Sequence, residues 1–169
     1  GLNIYVEKIS KHLSKTNNVT VVTAEKAKSF KKGNLEFLSL NLFDQDLSVE
    51  DKEIYLNDFS EKLNKDINLE SFDVIHSHYW LSGLVGKQIA NQFNKPLVYT
   101  SHSLGIFLDG YNKERVDCEK IIMSSSVAVT TSSKFEENMI SENYKIDLTK
   151  MQQITPGVDT EIFTPNAAT

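Results

Sequence analysis

The residues best suited to chemistry stand at the ends of two β-rich runs. Phe72-Asp73-Val74-Ile75-His76 leads into Ser77-His78-Tyr79-Trp80, and Pro96-Leu97-Val98-Tyr99-Thr100 leads into Ser101-His102-Ser103-Leu104-Gly105. Ligands of an open parallel sheet bind outside the carboxyl ends of its strands. Three of the chain's 4 histidines therefore fall where a site belongs. The fourth, His12, is expected on the solvent side of the first helix. Strand-end histidines admit three chemistries. One is structural, an imidazole hydrogen-bonded at a strand–helix junction. The second is metal binding. His76 and His78 are two apart, which is read as keeping them off a common side of the strand, and neither motif offers a partner carboxylate, so metal is disfavoured. The third is recognition of sugar and phosphate by neutral imidazole, backbone N–H groups and hydroxyls. His102 suits that best, with Ser101, Ser103 and Gly105 around it. Gly1, before a helical pattern, is either an ordinary turn glycine or one that lets a phosphate approach a helix N-terminus.

These residues need a scaffold, and the apolar pattern supplies one. Leu2, Val6, Ile9 and Leu13 mark one face of an amphipathic helix. A strand is expected over residues 19–23, a basic polar loop over 26–34, a second strand over 35–40 and a polar loop over 44–51. Leu56, Phe59, Leu63 and Ile67 return to helical spacing. A buried strand over 72–76 precedes a helix lined by Leu81, Leu84, Val85, Ile89 and Phe93. The strand over 96–100 opens on Pro96, where the missing N–H is harmless. Cys118, Ile121 and Ile122 mark another helix, residues 127–130 a strand, and 151–154 a last short one. Ser133 with Glu136 forms a capping box on a helix lined by Phe135, Met139 and Ile140. Short apolar strands alternating with helices make a Rossmann-like, doubly wound parallel α/β sheet.

Composition narrows the function. The chain has 169 residues, one domain's length, with 40% hydrophobic and 24% charged residues. A net charge of −5 argues against a nucleic-acid partner. The single cysteine, Cys118, excludes an internal disulfide and a thiolate zinc site. No apolar run approaches the roughly 18 residues a membrane span needs. No signal peptide is evident at the start, and a cytoplasmic location is expected.

Five segments in order carry a family resemblance. Gly1-Leu2-Asn3-Ile4-Tyr5-Val6 resembles a segment of GT-B glycosyltransferases of the sucrose-phosphate synthase and mycothiol-pathway inositol-phosphate glycosyltransferase groups. Asp73-Val74-Ile75-His76-Ser77-His78-Tyr79-Trp80-Leu81-Ser82-Gly83 and Thr100-Ser101-His102-Ser103-Leu104-Gly105 are similar to their next two hallmarks. Arg115 to Glu119 resembles the Arg-bearing helix that follows, and Ile154-Thr155-Pro156-Gly157-Val158-Asp159 with Phe163-Thr164-Pro165 the passage toward a second domain.

The resemblance implies a retaining glycosyltransferase that moves a sugar from a nucleotide sugar, such as UDP- or ADP-glucose, to a phosphorylated sugar or cyclitol. Residues 1–155 would form the N-terminal, acceptor-side Rossmann-like domain, truncated at its N-terminus, and 156–169 would begin the interdomain linker. The other domain of the same enzyme would hold the donor, so this piece alone is expected to be inactive. By the same resemblance His102 is catalytic and touches the transferred sugar. Gly1, His102 and Gly157 face the donor. Asn3, Tyr79, Ser103 and Arg115 hold the acceptor. No metal and no cofactor beyond the donor are implied. The sequence departs where relatives carry a Lys after the third hallmark, since Ile106-Phe107-Leu108-Asp109 stands there; Lys52 is a loose candidate for a second lysine of the relatives. Two rival readings are a non-catalytic domain of the same fold and a metal-dependent hydrolase using His76 and His78.

Overall fold

The computed structural model describes residues 2–44, 46–108 and 112–164. Gly1 and residues 165–169 lie outside them. The chain opens with helix α1 (Leu2–Leu13), whose apolar side is half-buried and whose His12 is exposed. Strand β1 (Val19–Glu25) runs parallel to β3 (Leu35–Phe43). Residues 26–34 were expected to be loop, but they contain strand β2 (Phe30–Lys32), antiparallel to β3. The reversal is made by Gly33 at φ +57, a backbone shape an L side chain resists. Phe30 then stacks on Phe37 at 5.4 Å. The polar stretch 44–51 likewise holds the start of a short helix, α2 (Val49–Glu53), capped by Ser48, whose Oγ accepts from the Asp51 N–H at 3.1 Å. Helix α3 (Leu56–Asp66) follows.

The second half is a regular β/α alternation. Strands β4 (Ile75–His78), β5 (Leu97–Thr100), β6 (Ala128–Thr131) and β7 (Met151–Gln153) form a parallel sheet in that order. Helices α4 (Trp80–Gln92), α5 (Lys113–Ser125) and α6 (Lys134–Tyr144) connect them. The fold class expected from the pattern is therefore present, with one difference: among the described residues the strands form two sheets, β1-β3-β2 and β4-β5-β6-β7. The first strand of the second sheet also begins later than the 72–76 reading. Val74 is half-exposed, and pairing starts where the Ile75 N–H donates to the Pro96 carbonyl at 3.0 Å.

Two apolar clusters meet at α4. One, around Leu97, Tyr99, Ile122, Val129, Ile140 and Tyr144, fills the parallel sheet. The other joins Leu40 of β3 and Leu63 of α3 to Val85 and Ile89 of α4. Helix α4 sits close to β4 because Gly86 has no side chain: a Cβ there would lie 1.9 Å from Ser77 Oγ. This packing brings the ends of β4 and β5 side by side, with His78 paired to Thr100 in register. Some residues of the expected apolar faces point out instead: Leu13 and Ile121 are exposed, and Phe135 is 65% exposed and stacks on Phe107 at 6.1 Å.

Candidate functional site

Where β4 and β5 end, the backbone is strained. Tyr79, which opens α4, has φ +75 and ψ 157, a region that is essentially glycine-only. His102, two residues past β5, has φ +59. Such conformations cost about 1–3 kcal/mol each and persist only where the surroundings impose them. For Tyr79 the constraint is visible: its N–H donates to the Thr100 carbonyl at 2.9 Å, and its carbonyl accepts from the Gly83 N–H at 2.9 Å. Residue type alone gives no hint of either conformation, since neither position is a glycine.

The three histidines come together in this corner. His76 and His78 share a face of β4, with ring centroids 4.1 Å apart. The spacing of two does not keep them apart, contrary to expectation: side chains alternate along a strand, so residues two apart point the same way. His76 Nε2 is 2.8 Å from Thr100 Oγ1, which in turn meets Thr130 Oγ1. His78 Nδ1 is 2.9 Å from His102 Nε2. Tyr5 of α1 packs edge-on to His102 at 4.9 Å and to His78 at 5.9 Å. Burial drives all three imidazoles toward the neutral form. His76 falls to about 4, with His102 adding to the effect of burial, and His78 to about 3, with His76 and His102 adding. His102 is lowered by burial, partly offset by Glu136. That carboxylate is held by Ser101 Oγ at 2.7 Å and by the N–H and Oγ of Ser132. Ser133 Oγ caps α6 as expected, accepting from the Glu136 N–H at 3.2 Å. Among the described residues no group of three or more His, Cys, Asp or Glu is arranged to hold a metal.

The predicted acceptor residues Tyr79, Ser103 and Arg115 also converge. Arg115 donates from Nη1 to Tyr79 Oη at 3.2 Å, and from Nη2 to Ser103 Oγ at 3.0 Å and to the Ser103 carbonyl at 3.1 Å. Its Nε donates to Glu119 Oε1 at 2.8 Å, one helical turn away. Arg115 is 5% exposed and Glu119 fully buried. Glu119 also accepts from the Gly105 N–H, at 3.1 and 2.9 Å, and from the Tyr144 hydroxyl. One carboxylate thus pins the loop that carries His102 and Ser103 to α5. Tyr144 had no signal in the sequence, whereas the spacing of Arg115 and Glu119 is that of an i,i+4 helical ion pair.

Tyr79 and His78 line a cavity of about 560 Å³ with Asn3, Lys52, Glu25 and Tyr55. Asn3 is thus brought to the site, and so is Lys52, whose Nζ donates to Glu25 Oε1 at 2.7 Å. Gly157 is exposed, with open space around its Cα. Gly1 lies outside the described residues.

A Rossmann-like domain that gathers a histidine, two hydroxyls and a buried Arg–Glu pair at its strand ends corresponds to the N-terminal half of a GT-B glycosyltransferase. Comparison with known proteins agrees. The family described as Glycosyltransferase Family 4 matches residues 1–162, and the chain belongs to it. Sucrose-phosphate synthase from Thermosynechococcus elongatus superposes with a TM-score of 0.87 at 25% identity, covering 99% of this chain and 45% of that one. Anabaena HepE, solved in complex with UDP, shares the fold, with a TM-score of 0.62 and 13% identity over 98% of this chain and 43% of that one. By sequence, D-inositol 3-phosphate glycosyltransferase from Frankia alni is 36% identical over 102 residues, 56% of this chain and 25% of that enzyme. The enzyme of the same name from Corynebacterium diphtheriae is 32% identical over 102 residues, 56% of this chain and 24% of its own length. The match therefore spans about a quarter of the length of these relatives. Among the described residues no helix is long and apolar enough to cross a membrane.

Proposed function

We propose that the intact protein is a retaining glycosyltransferase that transfers a sugar from a nucleotide sugar, UDP- or ADP-glucose in the first instance, to a phosphorylated sugar or cyclitol, and that this domain holds the acceptor. A cytoplasmic setting belongs to the same proposal. The observation that carries the acceptor assignment is the Arg115 constellation. Its guanidinium donates to the oxygens of Tyr79 and Ser103. Each hydroxyl, with a lone pair engaged by a cation, keeps its own proton to donate outward. Two O–H donors backed by a buried positive charge suit an anionic group such as an acceptor phosphate. Arg115 would then act through these hydroxyls rather than by its own direct contact.

His102 supplies a polar nitrogen near the transferred sugar. Asn3 and Gly157 are assigned to acceptor and donor by resemblance, as is Gly1. Retention without an enzymatic carboxylate nucleophile is the family-type chemistry proposed: attack and departure on one face, with the donor phosphate taking the acceptor proton and fixed donors stabilising the leaving group. The rival reading, a metal-dependent hydrolase using His76 and His78, has less support, because His76 Nε2 is engaged by Thr100 Oγ1 and His78 Nδ1 by His102 Nε2.

The test is transfer by the intact enzyme from UDP- and ADP-glucose to phosphorylated sugars and cyclitols, each against its dephosphorylated counterpart, with the product anomer read by NMR. Ser103→Ala should raise KM for the phosphorylated acceptor by about tenfold, the value of roughly 1.4 kcal/mol for a charge-assisted hydrogen bond. His102→Ala should lower kcat by about 10²–10³ with the protein still folded. Equal use of dephosphorylated acceptors, or an inverted product, would overturn the corresponding part of the proposal.

A further inference from the structure

The contact between His78 and His102 has a consequence beyond burial. A hydrogen bond between two imidazole nitrogens needs one N–H and one bare nitrogen, so each ring fixes the tautomer of the other. His102 uses Nε2 in this bond, at 2.9 Å. Its Nδ1 is the atom left for a ligand. We propose that His78 is a positioning residue that accepts a hydrogen bond from His102 Nε2–H at its own Nδ1, so that His102 meets the substrate with a bare Nδ1 and selects a hydroxyl donor of the transferred sugar.

Three observations support the assignment. First, both rings then hold the Nε2–H tautomer, the one a free imidazole favours, so neither is forced into the rarer form. Second, the ring of His102 is gripped from two sides, by His78 and by the edge of Tyr5 at 4.9 Å. With the backbone already at φ +59, little freedom remains to present the other nitrogen. Third, protonation of His78 would fill its Nδ1 and break the hydrogen bond, protonation of His102 would fill the Nδ1 left for the ligand, and burial lowers both pKa values. The charged or titratable groups around His102 are His78, His76, Tyr5 and Glu136. Glu136 is already committed to Ser101 and Ser132. A bare nitrogen accepts a hydrogen bond and repels a phosphate oxygen. It therefore assigns His102 to a sugar hydroxyl and leaves the anion to Tyr79 and Ser103. The inference rests on the glycosyltransferase reading for its substrate, but the state of the two rings does not depend on it.

The experiment separates the two. Imidazole ¹⁵N spectra of the protein near neutral pH should show His102 with a protonated Nε2 and an imine-type Nδ1. His78→Phe keeps a ring but removes the acceptor. It should give His102 a mixed tautomer signature and lower kcat by roughly tenfold, the equivalent of one lost hydrogen bond of about 1.4 kcal/mol, with acceptor KM within about twofold. His78→Asn places an amide oxygen where Nδ1 stood and should restore both the signature and most of kcat. A wild-type His102 protonated on Nδ1, or a His102 spectrum unchanged by His78→Phe, overturns the proposal. So does a His78→Asn variant no better in kcat than His78→Phe. A protein with the expected spectra that transfers no sugar would instead overturn the function.

Discussion

Acidification from about pH 7.5 to about pH 5 should destabilise this domain by about 4 kcal/mol through His76 and His78 alone. Both rings are held neutral in the fold, at about 4 and about 3, against 6.5 for an unburied imidazole. Below 6.5 the unfolded chain takes up protons that the folded chain refuses, so stability falls with falling pH throughout that window. At about pH 5 the unfolded ring is about 1.5 units below its midpoint, which is worth about 2 kcal/mol for each histidine at 1.36 kcal/mol per unit. The lowered His102 adds in the same direction. Comparison with a variant that lacks both rings isolates their share of the slope. Against a total of about 5–15 kcal/mol for a typical domain, the loss is large. Urea unfolding at a series of pH values measures it directly. A double variant, His76→Gln with His78→Asn, should lose the share of the slope due to those two rings and keep what His102 contributes, whatever its absolute stability. A wild-type change below about 1 kcal/mol, or an equal slope in the double variant, would show that the rings are hydrated and titrate normally.

Two further outcomes test the framework. Glu119→Gln keeps the shape but strips the counter-charge from a guanidinium that is 5% exposed, and should cost about 3–5 kcal/mol in urea unfolding; a cost below about 1 kcal/mol would mean that Arg115 reaches solvent. Gly86→Ala sets a Cβ 1.9 Å from Ser77 Oγ and should cost about 1–3 kcal/mol by thermal melting, with Ser77→Gly in the same chain recovering most of it.

Legibility followed burial and length. The run Leu97-Val98-Tyr99-Thr100 reads as a strand because β-branched and aromatic residues pack on both of its faces, and its strand is placed to within a residue. β2 was invisible: it has three exposed residues, and its existence depends on a turn at Gly33 rather than on any periodicity. α2 is too short, at 5 residues, for a helical pattern to show. The start of β4 was misplaced by its apolar flanks, since Phe72 and Val74 look like strand but lie before the first ladder bond. In the site, His102 was reachable from residue type and position at a strand end. Ser103 was reachable as its neighbour, but the grouping of Ser103 with Tyr79 and Arg115 was not, because the three are spread along the sequence and only the resemblance joined them. Nothing in the residue pattern pointed to Tyr144, because its link to Glu119 depends on how α6 packs against α5.

The two strained residues tie these levels together. A chain that spends about 1–3 kcal/mol at Tyr79 and again at His102 must be held there by bonds that local sequence cannot supply. For Tyr79 they are the rungs to Thr100 and Gly83. For the loop of His102 they are the grip of Glu119 on Gly105, the grip of Arg115 on Ser103, and the tie from Ser101 to Glu136 at the start of α6. Each of these anchors lies on a helix packed against the parallel sheet. The loop is thus clamped on both sides of His102, with the ring of His78 below it. Relaxing either residue would swing its side chain away from the shared corner and separate the histidine from the hydroxyl pair. The strain is therefore a consequence of bringing the His102 ring and the hydroxyls of Tyr79 and Ser103 together at the ends of adjacent strands.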